Sequence, residues 1–329
     1  MNLYWQRTQM KLTHKLLAIL ATVGCLGVMA PSMAASTTAD GRDPATVAKE
    51  NFRKDQVCTK CHDENESAPI LTLYQTKHGV RGDSRAPTCT SCHGESQNHL
   101  AKKDNPPDVV FKKGAYAKSD ESVRADQCLA CHSGAKRMNW PGSVHPNNDI
   151  ACNDCHKVHQ PKDNVLDKFK VAAVCFTCHK EQRADSFKTS THPIQVGKVV
   201  CSDCHNPHGS TGPRLLVKNT VNETCFLCHA EKRGPMRFEH QPVVEDCTYC
   251  HTPHGSNITP LLKDRPPLLC QDCHDGPHQS KNPFGNNMGG TQVNPTITSP
   301  GNGTVGRACM NCHSLIHGSN SPAGGYFQR

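Results

Sequence analysis

The chain has 329 residues, and only 35% are apolar even with its 21 cysteines counted, too few to build ordinary side-chain cores over that length. Histidine is as abundant as cysteine, at 21 residues, and the two together point to metal or haem chemistry. The formal charge of +8 is inflated by Arg7, Lys11 and Lys15, which fall in a leader.

Residues 1–34 read as a secretory signal peptide. The three basic residues form its n-region, Leu16 to Ala30 is apolar, and Ser32-Met33-Ala34 offers small residues for cleavage after Ala34. The apolar run is too short for a comfortable membrane span, and no other long apolar run follows. Cys25 follows Thr22-Val23-Gly24, a faint likeness to a lipoprotein cleavage site; the plainer reading is a small residue in a discarded peptide. Residues 35–57 then form a short N-terminal segment.

From Cys58 onward one unit, Cys-x-x-Cys-His, occurs ten times. Its cysteine pairs are Cys58/Cys61, Cys89/Cys92, Cys128/Cys131, Cys152/Cys155, Cys175/Cys178, Cys201/Cys204, Cys225/Cys228, Cys247/Cys250, Cys270/Cys273 and Cys309/Cys312, which leave only Cys25 over. Two thiols three positions apart reach the two vinyl groups on one edge of a haem, and the adjacent histidine turns under the ring to bind iron. A zinc site needs two such dithiols together and has no use for a histidine after each. A disulfide framework does not confine its cysteines to one five-residue unit. The expected cofactor is therefore covalently bound haem c, ten per chain, with His62, His93, His132, His156, His179, His205, His229, His251, His274 and His313 as proximal ligands. Each haem also brings two propionates, so the charge gives no reason to expect a nucleic-acid partner.

Apart from His14 of the leader, ten histidines remain: His78, His99, His145, His159, His192, His208, His240, His254, His278 and His317. Beyond the leader there are only four methionines, too few for His/Met ligation throughout. One spare histidine per haem points to bis-histidine ligation at every iron. His156/His159, His205/His208 and His251/His254 are three apart, and His274/His278 and His313/His317 four apart. On one helical turn such rings point the same way, whereas axial ligands lie on opposite faces of a porphyrin. The second of each pair is thus expected to serve a different haem from the first, which packs neighbouring haems closely.

The motifs fall into five pairs beginning at 58, 128, 175, 225 and 270, a repeat of the kind that forms a quasi-linear array. The expected fold is a multihaem cytochrome c of short helices and loops packed on haems, with little or no sheet, drawn out as an elongated array of dihaem repeats. Residues 58–190 would form a first pentahaem half and 191–329 a second. The polar, Gly-rich stretch 281–306 reads as a surface loop, with a docking surface near the final haem as the alternative.

In detail the chain resembles a known family, the periplasmic decahaem c-type cytochromes of the MtrA and DmsE type. The resemblance rests on the number and pairing of the motifs and on the stretches CSDCHNPHGS (201–210), CHAEKRGP (228–235) and CMNCHS followed by HGSN (309–320). It implies a haem wire in the periplasm that takes electrons from periplasmic or inner-membrane cytochromes and sits partly inside a separate outer-membrane β-barrel. The wire would pass them to an extracellular partner, either a surface multihaem cytochrome that reduces metals or a surface dimethyl sulfoxide reductase. The setting would be anaerobic respiration. Nothing in the sequence supplies the barrel itself. A multihaem reductase needs one iron with an open face, often marked by an altered motif; all ten motifs here end in His, so an electron-transfer role is expected rather than an enzymatic one.

Overall fold

The computed structural model describes residues 38–63, 65, 69–274, 309–322 and 324–327. Residues 1–34, read above as a signal peptide with Cys25 in it, and His278 and the 281–306 stretch lie outside the described residues. Among the described residues there are short helices, four isolated β-bridges and no strand, as the Gly- and Pro-rich sequence leads one to expect. The two longest helices among the described residues are Pro44–Thr59 and Glu121–His132.

The chain divides into two compact units, one of residues up to 53 with 81–86, the other of 54–80 with 87–329. In the smaller unit Asp43 accepts the Thr46 N–H at 2.8 Å and Pro44 follows it, a favourable helix start because proline has no N–H to leave unpaired. Val47 is buried there, and Asn51 donates to the Arg81 carbonyl at 2.9 Å.

All ten motifs lie in the larger unit, and helix placement alternates along it. Helices run into the first motif of each pair: Pro44–Thr59 at Cys58, then Glu121–His132, Val171–Cys175, Val221–Cys225 and Leu268–Gln271. In the second motif of each pair a helical turn begins on the first cysteine: Cys89–His93, Cys152–Cys155, Cys201–Cys204, Cys247–Tyr249 and Cys309–Asn311. A residue inside the motif often caps this turn. Asp154 accepts the Ala151 N–H and Asp203 the Val200 N–H, each at 2.8 Å, and Ser91 the Thr88 N–H at 3.0 Å.

Among the described residues side chains make almost no core: the buried apolar ones are Val47, Val109, Ala125, Trp140, Ala151, Val171 and Leu262. Seven buried apolar side chains among the described residues cannot offset the conformational entropy of ordering them, so the volume that orders this part of the fold must come from bound groups.

Candidate haem sites

Polar clamps bring the two motifs of a pair together. In the first pair the buried Asp55 accepts the Cys89 N–H at 3.0 Å and the Tyr74 hydroxyl at 3.0 Å. In the fourth pair Asn222, likewise three residues before its motif, accepts the Cys247 N–H at 2.8 Å and donates to the Val243 and Val244 carbonyls. In the second pair the fully buried Arg124 reaches Asp154 at 3.0 Å, Asn153 at 3.2 Å and Asp149 at 2.7 Å. In all five pairs the first cysteines stand side by side: Cys58 with Cys89, Cys128 with Cys152, Cys175 with Cys201, Cys225 with Cys247, Cys270 with Cys309. The hydrogen bond to the facing thiol, then burial, pushes Cys128, Cys175 and Cys225 far above the usual thiol range; the same contact draws Cys201 down to about 7.

Between pairs the second cysteines are neighbours in turn, Cys92 to Cys131, Cys155 to Cys178, Cys204 to Cys228 and Cys250 to Cys273. Cys61 and Cys312 are not part of this neighbour series. Both are exposed. Each is placed by its own motif turn, the Cys61 N–H donating to the Cys58 carbonyl at 3.1 Å and the Cys312 N–H to the Cys309 carbonyl at 3.2 Å. The thioether role expected of these two thus rests on the motif itself and not on a contact between motifs. The described cysteines are all free of disulfides.

Nine motif histidines face a spare histidine. The ring centroids are 6.0 Å apart for His62/His99, 6.3 Å for His93/His159, 5.9 Å for His132/His78, 6.1 Å for His156/His208 and 6.3 Å for His179/His145. They are 6.1 Å apart for His205/His254, 6.4 Å for His229/His192, 6.1 Å for His251/His317 and 6.0 Å for His274/His240. Ordinary aromatic pairs also span such distances; the discriminating fact is that one narrow spacing recurs with one motif and one spare histidine each time. Two collinear metal–imidazole bonds of about 2.0 Å plus two ring half-widths of about 1.1 Å would separate centroids by about 6.2 Å. The residues therefore fit a six-coordinate iron held between paired imidazoles, with the motif cysteines beside it for the thioethers.

Hydrogen bonds orient the rings. Nδ1 donates to a backbone carbonyl in His93 (Val109, 3.3 Å), His99 (Asn105, 2.7 Å), His205 (Arg214, 2.9 Å), His251 (Pro260, 2.9 Å) and His313 (Tyr326, 2.6 Å). It does so too in His145 (Pro207, 2.8 Å), His192 (Pro253, 2.8 Å) and His240 (Ile316, 2.9 Å). A carbonyl can only accept, so Nδ1 carries the proton and Nε2 keeps the lone pair for a metal. Burial lowers the pKa of His93, His159, His208, His254 and His317, which favours the neutral, ligating form.

The close histidine pairs His156/His159, His205/His208 and His251/His254 face different partners, but not for the helical reason their spacing suggested. The motif turn ends at the second cysteine, and the histidine after it is extended, with φ −86° and ψ 134° at His156 and φ −115° and ψ 142° at His205. The chain then turns away, so that His159 meets His93 and His208 meets His156. A glycine after the spare histidine makes the second contact possible. Gly209 has φ +103°, and a Cβ there would stand 2.1 Å from the Asn139 carbonyl oxygen. Gly255, which follows His254, would set one 2.0 Å from that of Asp185. The next residue, Ser256, pairs backbone to backbone with Ser190. The recurring His-Gly-Ser was the sequence signal for this docking; Arg124, Asp55 and Asn222 carried none that a single sequence displays.

Comparison with known proteins points to the same haem chemistry. A family model described as a doubled CXXCH motif matches residues 192–234 and 240–279, and one described as cytochrome c-type protein NrfB-like matches residues 89–173. The multiheme cytochrome MtrA of Shewanella baltica is 42% identical over 83% of this chain and 80% of its own length. The cytochrome c-type protein NrfB of Escherichia coli is 26% identical over 54% of this chain and 97% of its own. The high-molecular-weight cytochrome c of Nitratidesulfovibrio vulgaris is 19% identical over 65% of this chain and 36% of its own. Covalent haem c binding and electron transfer follow from motifs, geometry and relatives alike, and the chain belongs to the MtrA family of multihaem c-type cytochromes.

Proposed function

We propose that the protein is a ten-haem wire of the periplasm. It carries electrons from periplasmic or inner-membrane cytochromes, through an outer-membrane β-barrel that holds part of it, to an extracellular acceptor system. That system is a surface metal-reducing cytochrome or a surface dimethyl sulfoxide reductase, in anaerobic respiration. The observation that carries this reading is the set of nine facing histidine pairs. A haem iron held between the two histidines of any of these nine pairs would have no free face on which to bind a substrate, which supports electron transfer without catalysis. The tenth spare histidine, His278, lies outside the described residues. When bound, haem c supplies a one-electron iron couple at each site, at the low potentials of bis-histidine ligation. The chain's own part is spacing. Its cysteines neighbour one another in sequence order, first with first and second with second, which supports a single path in chain order.

Absorption and EPR of the oxidised protein, then carbon monoxide on the reduced form, test the closed sites. All-low-spin iron that ignores carbon monoxide is expected, and a stoichiometric high-spin haem that binds it would sink the proposal. For the barrel, mixing with the purified barrel is expected to protect much of the chain from protease; full sensitivity would mean a free shuttle.

A further inference from the structure

The axial histidines are not held alike. Eight donate Nδ1–H to a backbone carbonyl, but His156 lies 2.6 Å from the carboxylate Oδ2 of Asp163. His229 is 3.8 Å from Glu231, beyond hydrogen-bond reach. The difference is clearest against the repeat. After His205 and His251 the chain folds back so that the carbonyls of Arg214 and Pro260 meet the ring, each at 2.9 Å. After His156 the return is shorter, HKVHQPKD, and a side chain takes the carbonyl's place. Asp163 is held for the purpose. Its Oδ1 accepts the Val165 N–H at 3.2 Å as the cap of Asn164–Leu166, and its side chain is 18% exposed.

We propose that Asp163 is a positioning and tuning residue that sets the Cys152–His156 haem at a lower reduction potential than its repeat counterparts at His205 and His251. The inference rests on His156 being an axial ligand. A carboxylate draws the Nδ1 proton toward itself and gives the ring imidazolate character, which makes Nε2 a stronger donor. A stronger donor and a nearby negative charge both favour the ferric state, so the potential falls. A neutral carbonyl acceptor does this less. The consequence is a low step within the array, at a place fixed by one side chain.

The test is a spectropotentiometric titration of the intact, fully loaded protein and of Asp163→Asn. One haem's share of the absorbance is expected to move to higher potential by about tenfold in its reduction equilibrium, about 59 mV for a one-electron couple. Asp163→Glu, which keeps the charge, is expected to follow the wild type. Should Asp163→Asn mature poorly, Asp163→Ser still caps Val165 without a charge and is expected to shift the titration in the same direction. An uncharged variant that titrates like the wild type overturns the proposal, and so does an Asp163→Glu shift as large as that of Asn, which would make the place structural. His156→Met separates the two levels. If it leaves the low-spin spectrum unchanged, the ligand reading itself fails; if it changes the spectrum while Asp163→Asn moves nothing, only the tuning fails.

Discussion

Replacing Gly209 by alanine tests whether the His-Gly-Ser turn holds His208 in place. The backbone there has φ +103°, a region that costs a non-glycine residue about 1–3 kcal/mol. The new Cβ would lie 2.1 Å from the Asn139 oxygen and 2.6 Å from its carbonyl carbon, so the two backbones must part by about 1 Å to reach ordinary contact. His208 is the adjoining residue and faces His156 at 6.1 Å. A pair of axial bonds of about 2.0 Å each has no room for such a displacement. The expected cost is about 2–4 kcal/mol, strain and crowding together. It should appear as a lower melting temperature and as one haem equivalent of high-spin, carbon monoxide-binding iron that grows before global unfolding. Gly142 is the control, with φ +79° and nothing within 4 Å of its Cβ; Gly142→Ala carries only the conformational cost, about 1 kcal/mol. If Gly209→Ala melts no lower than Gly142→Ala and binds no carbon monoxide, the turn does not position the histidine.

Ring orientation gives a second expectation. The imidazole planes are nearly parallel, 10–27°, at His62/His99, His156/His208, His205/His254, His240/His274 and His251/His317, and nearly crossed, 82–87°, at His78/His132, His93/His159 and His145/His179. Parallel planes split the iron dπ pair and crossed planes do not, so EPR of the oxidised protein is expected to contain two low-spin classes, the more anisotropic one the smaller; a single class would contradict these orientations. Arg124→Met is expected to cost about 2–3 kcal/mol in thermal or denaturant unfolding, because it removes charge-assisted bonds from a buried guanidinium while its carboxylate partners remain half-exposed; an unchanged midpoint would show that the clamp is dispensable. Finally, the chain expressed without haem attachment is expected to give the circular dichroism of an unfolded polypeptide, and native-like helicity in that form would mean that the side chains suffice.

Much of this architecture was legible in the sequence because thioether attachment writes itself into five consecutive residues. Short helices without sheet followed from the spacing of the motifs and the scarcity of apolar residues. The separation of neighbouring histidines onto different sites also followed, since one short segment cannot wrap a porphyrin; the backbone that achieves it is extended, where a helical turn was expected. The partners of the spare histidines were not legible. His78 meets His132 across a whole motif, and His317 meets His251 from beyond the last one; such long-range pairings depend on where loops dock, which no local pattern encodes. Asp163 was hidden for another reason. It is an ordinary loop aspartate until the neighbouring repeats are seen to use a carbonyl at the same task.

The way the spare histidines are held has a consequence for stability. The carbonyl that orients His145 belongs to Pro207, the residue before His208. Pro253 does the same for His192 just before His254, and Ile316 for His240 just before His317. One short segment thus places a ring against one motif histidine and aligns a second ring that faces another. Displacing residues 207–209 disturbs the His156 and the His179 site together, since His145 faces His179. Local opening therefore cannot free a single site at the cost of that site alone. Neighbouring sites share their losses, as nearest-neighbour terms do in repeat proteins, and this coupling lets a chain with hardly any side-chain core hold its histidine pairs in register.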